Sequence, residues 1–257
     1  MEVLARFLAA LDDAGMDGAY WAAGEWWGDY ALSVQPRDNF TVDRPQLATL
    51  LAHSGTRFLT AVSAATGEVR TLAPDSLASA YGVFAPLDRV QIRDSAGAIL
   101  EGALLYSSGL QVNFVVPAVT APGRAAVLLR SGDGLIAAGD VRIDSVAPAL
   151  FSAAQVVRVA ADGVQAIEPV TLPTAIERRG ASERLFLVLY GSGFRNGPDT
   201  SVRIGGRVVP VGYAGPQPQY AGLDQANVEL PGDLAGDLAL VLSAGGRNSN
   251  ALKLVLR

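Results

Sequence analysis

A chain of 257 residues is long enough for one large domain or two ordinary ones. Half of the residues are hydrophobic and 18% are charged, a balance that supports packed cores and excludes wholesale disorder. The net charge of −5, without any Lys/Arg-rich block, argues against a nucleic-acid surface, and the lack of cysteine excludes a disulfide framework, a thiolate nucleophile and a Cys-ligated zinc site.

Val3, Leu4, Phe7, Leu8 and Leu11 follow the stripe of an amphipathic helix, and Gly15 is placed to end it. The opening Met1-Glu2-Val3-Leu4-Ala5-Arg6 lacks the basic start and cleavage site of a signal peptide. An export signal is therefore expected upstream of this chain. No apolar run approaches the roughly 20 residues of a membrane helix, so no membrane span is expected. A buried strand is expected over 19–24, followed by a long aromatic loop. A second helix fits Pro45 to Ser54, with Pro45 in the first turn, Leu47, Leu50 and Leu51 on one face, and Gly55 after its end.

All three tryptophans fall between residues 21 and 27, beside Glu25 and Asp29. Aromatic faces stack on the flat C–H faces of sugar rings, and carboxylates accept hydrogen bonds from hydroxyls. The alternative is a hydrophobic plug closing a barrel. The stretch from Gly18 to Ser33, with its Tyr20-Trp21-Ala22-Ala23-Gly24-Glu25-Trp26-Trp27-Gly28-Asp29-Tyr30 core, resembles the end of family 5 glycoside hydrolases, the cellulase family. Asp43-Arg44-Pro45-Gln46-Leu47 continues the resemblance, which covers about a fifth of the chain. It implies the last strand, loop and helix of a (β/α)8 barrel, with residues 2–14 as the preceding helix. Trp21 would floor the sugar subsite at the cleavage point, and Trp26, Trp27, Asp29 and Tyr30 would line the adjoining loop. Both catalytic glutamates of that family follow earlier strands and have no counterpart here. Glu25 stands where relatives carry proline, so no catalytic residue is assigned.

From about residue 60 short β-branched runs alternate with Asp133-Gly134, Asp162-Gly163, Gly205-Gly206 and Gly245-Gly246, the dipeptides of tight hairpins. Runs such as Ala126–Arg130, Leu185–Tyr190, Ser201–Ile204, Leu238–Ser243 and Leu252–Leu256 have strand character. The string Q-x-N-x-x-x-P occurs from Gln111 to Pro117 and again from Gln225 to Pro231, an offset of 114 residues, and Tyr81-Gly82 recurs at Tyr190-Gly191. A repeat near 110 residues is the size of one immunoglobulin-like sandwich. The fold class expected is mainly β: two tandem immunoglobulin-like β-sandwiches over 60–147 and 148–257, preceded over 1–55 by the α/β end of a TIM barrel. The segment Val156–Thr171 fits either sandwich. Leu72–Gly82, both Q-x-N strands, Val146–Phe151 and Tyr213–Tyr220 resemble a C-terminal domain, without an assigned reaction, that recurs in exported proteins of soil bacteria. This implies an extracellular or cell-surface location.

Gln111 with Asn113, and Gln225 with Asn227, share strand faces; their amides are expected to satisfy loop backbone groups rather than a ligand. His53, the only histidine, ends a helix without a G-x-S-x-G turn elsewhere, so a Ser/His/Asp site is not expected. Gly191-Ser192-Gly193 reads as a turn, and Asp199, Asp224 and Asp233 as isolated turn acids. No metal and no cofactor are expected. The chain is therefore expected to be the C-terminal part of an exported cellulase-like glycoside hydrolase, inactive by itself. Its two accessory sandwiches would serve as spacers, surface attachments or weak carbohydrate binders, with Tyr213 and Tyr220 the best exposed contacts. The expected partner is a β-glucan polysaccharide. The rival reading is a stand-alone secreted or cell-surface binding protein with a vestigial hydrolase tail.

Overall fold

The N-terminal stripe folds as α1 (Glu2–Ala14), and the proline-led stretch as α2 (Pro45–His53). The computed structural model describes every residue except 1, 15, 17–19, 22–29, 39–40, 54–56, 68–70 and 181; the side chains of 12, 48, 51–53, 57 and 58 also lie outside the description. Gly15, the expected stop of α1, is among the residues left out. Leu4, Leu8 and Leu11 are half-buried, but Val3 and Phe7 stay exposed. The strand expected over 19–24 is absent where it can be read: Tyr20 and Trp21 have no regular structure, and 19 and 22–24 lie outside the described residues. A strand needs a neighbouring edge for its N–H and C=O groups, and among the described residues none pairs with Tyr20 or Trp21 as a strand.

The β-rich part begins with β1 (Arg57–Phe58), β2 (Thr60–Ser63), β3 (Thr71–Leu72), β4 (Leu77–Tyr81) and β5 (Arg89–Arg93). It continues through β6 (Ile99–Ser107), β7 (Gln111–Val115), β8 (Gly123–Ser131) and β9 (Gly134–Ile143). One layer runs β2-β4-β7-β6, the other β6-β5-β8-β9 with β1 and β3 parallel to β9. Strand β6 belongs to both: Ile99–Gly102 pair with β5, and Ala103–Ser107 pair with β7. Alternation sends Val90, Ile92, Val112, Phe114, Val127 and Leu129 into one core between the layers.

The same plan follows in β10 (Ala149–Val159), β11 (Gln165–Thr171), β12 (Arg184–Ser192), β13 (Ser201–Ile204) and β14 (Arg207–Val209). It closes with β15 (Val211–Pro216), β16 (Asp224–Leu230), β17 (Gly236–Ala244), β18 (Arg247–Asn248) and β19 (Leu252–Leu256). One sheet runs β11-β10-β12-β16-β15, the other β14-β13-β17 with β18 and β19 on β17. The strand that crosses between layers is here cut at Pro210, whose missing N–H interrupts the ladder. Leu185, Leu187, Leu189, Val202, Leu240 and Leu254 fill a second core. The segment Val156–Thr171, which the sequence leaves open between the two halves, joins the second: β10 pairs with β12, β11 pairs with β10, and β10 brings Ala154 and Val156 to this second core. Turn glycines behave as expected at 163, 205, 206, 245 and 246, all at positive φ. In the β8–β9 hairpin the positive φ falls on Gly132 instead of the Asp133-Gly134 dipeptide.

The two halves meet without an intervening linker. The Ala147 N–H donates to Gly193 O at 2.8 Å. The Ser192 hydroxyl accepts from Leu77 N–H at 2.6 Å and donates to Gly222 O at 3.0 Å. Asp144 pairs with Arg247 at 2.9 Å across the same junction.

Asp94 caps the β5–β6 turn. Its carboxylate accepts from the N–H groups of Ala96 (2.9 Å), Ala98 (3.0 Å) and Ala121 (3.0 Å). The Ala121 amide, with the turn amides, holds its pKa below the usual carboxylate value against the opposing effect of burial. Because the folded pKa is depressed, the stability it contributes is present above the unfolded value and fades as pH falls through the folded one. Asp94→Ala is expected to lower the stability of this half by about 2 kcal/mol at pH 7. In urea titrations the gap between variant and native chain should close as pH drops below about 4; a gap of constant size down to pH 2 contradicts the assignment.

Candidate functional site

The N-terminal aromatic segment is closed at its base. The Tyr20 hydroxyl donates to Leu32 O at 2.8 Å, joining the two ends of the segment. Its phenol pKa is raised by burial first and by nearby Tyr30 second. Residues 31–35 are held by residues at the start of α2: Arg44 Nε donates to Gln35 O at 3.1 Å, and the Gln46 amide donates to Ala31 O. Arg44, Gln46 and Ser33 are buried. Trp21 is 69% exposed and Tyr30 42% exposed, so both rings offer a face to solvent at the two ends of the segment. Trp26, Trp27 and Asp29, and with them Glu25, lie outside the described residues.

A second constellation occupies the outward faces of the sheets β2-β4-β7-β6 and β11-β10-β12-β16-β15. In the first, Tyr81 on β4 pairs with Gln111 on β7, and Tyr106 on β6 pairs with Asn113. In the second, Tyr190 on β12 pairs with Gln225 on β16, and Tyr213 on β15 pairs with Asn227. The register is the same in both. A β-bulge precedes each strand-crossing tyrosine, between Leu104 and Tyr106 and between Val211 and Tyr213. Bulges re-aim the side chain that follows. Gln111 Nε2 donates to Asn113 Oδ1 at 2.8 Å, and Gln225 Nε2 to Asn227 Oδ1 at 2.9 Å. The amides thus satisfy one another, not the loop backbone expected from sequence, because two residues two positions apart on a pleated strand point the same way. Among the described residues, each pair leaves the Gln Oε1 and the Asn Nδ2 without a partner.

The tyrosines flank these amides. Tyr81, Tyr106 and Tyr213 are exposed and Tyr190 is half-buried. Tyr213 is laid flat along its strand: its hydroxyl donates to Pro216 O at 2.6 Å, and a Cβ at Gly215 would come within 2.9 Å of the Tyr213 hydroxyl oxygen. Glycine at 215 therefore lets the ring lie down. Burial, then Tyr220, raises the pKa of the Tyr190 phenol. Tyr220 belongs to the loop 217–223, whose Gly222 packs against Leu77 and Val115 of the first face. At the far end of the second face Arg184 covers the Phe186 ring, 5.0 Å from its centroid, and pairs with Glu229 at 2.9 Å.

Asp224 is not the isolated turn acid expected but a fully buried one. It accepts from Phe194 N–H (2.8 Å), Arg195 N–H (3.1 Å) and Arg195 Nε (2.5 Å). Burial pushes its carboxyl up, while these donors pull it back. Asp233 pairs with Arg207 at 2.7 Å, and Asp199 sits at a positive φ of 53°. Gly191 and Ser192 finish β12, and Gly193 turns the chain at the junction. His53 ends α2, and its side chain lies outside the description. Among the described residues no group of three or more His, Cys, Asp or Glu could hold a metal ion, and no helix is long and apolar enough to cross a membrane.

No family model and no curated protein matches the chain. Solved structures with similar stretches include the mixed-linkage glucan utilization locus protein SGBP-B of Bacteroides ovatus in complex with a mixed-linkage heptasaccharide (TM-score 0.39, 11% identity, covering 73% of this chain and 43% of that one). Others are the titin Ig tandem A164-A165 (0.27, 13%, 73% and 91%) and the surface glycan-binding protein PbSGBP-B of Prevotella bryantii (0.24, 10%, 75% and 40%). The chain spans less than half the length of the Bacteroides structure. Similarity this low assigns neither a family nor a ligand.

Proposed function

We propose that the chain is a non-catalytic, polysaccharide-directed accessory unit, the C-terminal part of an exported cellulase-like glycoside hydrolase. The aromatic segment is the observation that carries this reading. Trp21 and Tyr30 stand exposed within a segment whose ends are joined by Tyr20 and anchored by buried Arg44 and Gln46. In this reading Trp21, Trp26, Trp27, Asp29 and Tyr30 contact sugar, 1–55 is the tail of the barrel, and 60–147 and 148–257 are the accessory sandwiches. The exposed apolar side chains of α1, Val3 and Phe7, support it, since a barrel would supply the packing they lack. The acids on the sandwiches support it too: those with lowered pKa are held by arginines, lysine or backbone amides, a structural use of carboxylates.

Because all three tryptophans lie in this segment, tryptophan emission reports on it alone. Titration with cellohexaose is expected to change the emission saturably, and Trp21→Ala to weaken the response severalfold. No change up to ~10 mM overturns the saccharide role of the segment. An upstream reading frame encoding a barrel with two catalytic glutamates supports the parentage; an initiation signal at Met1 with no such frame overturns it.

A further inference from the structure

We infer that the outward faces of the two sandwiches are a duplicated binding site for a neutral, hydroxyl-rich glucan chain. Each site consists of two tyrosines across a hydrogen-bonded Gln–Asn pair: Tyr81, Tyr106, Gln111 and Asn113 in one, Tyr190, Tyr213, Gln225 and Asn227 in the other. The inference deepens the polysaccharide-directed reading and rests on it for the ligand class.

What the two halves share argues that these faces serve contact rather than folding. Positions that point into the cores differ between equivalent strands: Val112 against Ala226, Phe114 against Val228, Ala78 against Leu187, Ala80 against Leu189. Folding tolerates such exchanges if volume is recovered elsewhere. The four outward positions are identical in both halves, and so are their Tyr–Gln and Tyr–Asn pairings, their amide hydrogen bond and the bulge that aims the second tyrosine, although Asn113 accepts a further hydrogen bond from the Ser79 hydroxyl at 2.9 Å where Asn227 faces Val188. Other outward positions on the same strands have changed, Ser79 to Val188 and Val115 to Glu229. Apart from Gly82 and Gly191 and the strand-ending Pro117 and Pro231, the identity on these strands falls on the four residues that form one patch.

The chemistry of the patch selects its ligand. It carries no formal charge, and the nearest charged groups on the second face, Arg184 and Glu229, neutralise each other. Phosphate or uronate chains find no counter-charge there. Each Gln–Asn pair presents one free acceptor and one free donor side by side, and a sugar hydroxyl both donates and accepts. The tyrosine rings supply stacking faces on either side. Two strand spacings of ~4.8 Å and one two-residue step of ~6.8 Å set the flanking Cα atoms roughly 12 Å apart, room for an extended chain of rings to lie across the amides. A peptide would instead seek a free sheet edge, where backbone groups provide the affinity. The loop 217–223 touches the first face through Gly222 and approaches Tyr190 of the second through Tyr220.

The test uses the full chain in affinity electrophoresis through gels containing hydroxyethyl cellulose. The native chain is expected to be retarded. Tyr81→Ala with Tyr106→Ala, or Tyr190→Ala with Tyr213→Ala, should weaken association about tenfold each, and the four together should cut retardation to the part carried by the aromatic segment, which adding Trp21→Ala then lowers, since two linked weak sites act by effective concentration. Tyr→Phe at all four positions keeps the rings and should keep most of the retardation, while Asn113→Leu with Asn227→Leu should lose as much as the four alanines. Urea midpoints establish that each variant is folded, and the Phe and Leu variants decide the matter if the alanine variants do not fold. A folded four-alanine variant retarded like the native chain overturns the inference. So does the absence of native retardation, or retardation only by polygalacturonate. Tryptophan emission is blind to these faces, so failure here and failure of the aromatic segment are read separately.

Discussion

Asp224→Ala is expected to unfold the C-terminal sandwich at urea concentrations that the native chain withstands. The carboxylate is fully buried and serves three donors on Phe194 and Arg195. Removing it leaves the Arg195 guanidinium, itself mostly buried, without its counter-charge at 2.5 Å, and leaves two backbone amides without acceptors. Breaking one side of a buried pair typically costs about 3–5 kcal/mol, a large share of the 5–15 kcal/mol that holds an ordinary domain. Asp224→Asn should cost nearly as much, because its amide would turn a donor toward a donor. Equilibrium unfolding by far-UV circular dichroism reads the effect. A midpoint within a few tenths molar of the native one would show that the pair contributes little and that the site relaxes around its loss.

Gly191→Ala is the second large effect expected. Gly191 lies in β12, at the heart of the five-stranded sheet. An added Cβ would fall well inside contact distance of Ala149 O, 2.7 Å from Phe194 Cε1 and 3.1 Å from Leu150 Cδ2. The first of these atoms is backbone and cannot rotate away, so the ladder between β10 and β12 has to open locally. Overpacking of this kind costs about 1–3 kcal/mol, and a rigid neighbour places it at the upper end. Gly206→Ala, which meets nothing within 4 Å but holds a φ of 85°, isolates the conformational part of such a change. Gly191→Ala should lower the unfolding midpoint well beyond Gly206→Ala; equal shifts would show that packing is not the cause.

Much of the β-rich architecture was legible because its punctuation is chemical. Gly205-Gly206 and Gly245-Gly246 mark hairpins that only positive φ can close, and Ser201–Ile204 and Leu252–Leu256 match strands to the residue. The Q-x-N strings located two equivalent strands before any pairing was known. Their cross-strand tyrosines were only half visible. Tyr81 and Tyr190 surfaced through Tyr-Gly, but Tyr106 and Tyr213 share no local string, and the intervening loops shift their spacing. Only the register reveals them as partners of the same asparagine position. Asp224 looked like a turn residue because its partners, Phe194 and Arg195, lie thirty positions away in a loop that carries no periodicity. The strand expected over 19–24 rested on composition and resemblance, and neither supplies the pairing edge that makes a strand.

The parallel pairing of first and last strands in the first sandwich has a mechanical consequence. Strands β1 and β3 run alongside β9. The chain therefore enters that sandwich at one end and leaves it at the other. A pull on the two ends of this half acts along these strands, so the bridging hydrogen bonds bear the load together, in shear, instead of being peeled one at a time. With Ala147 and Gly193 bonded directly across the junction, tension passes from one sandwich to the next with little slack to take up. Such a chain transmits force between whatever is attached at its two ends.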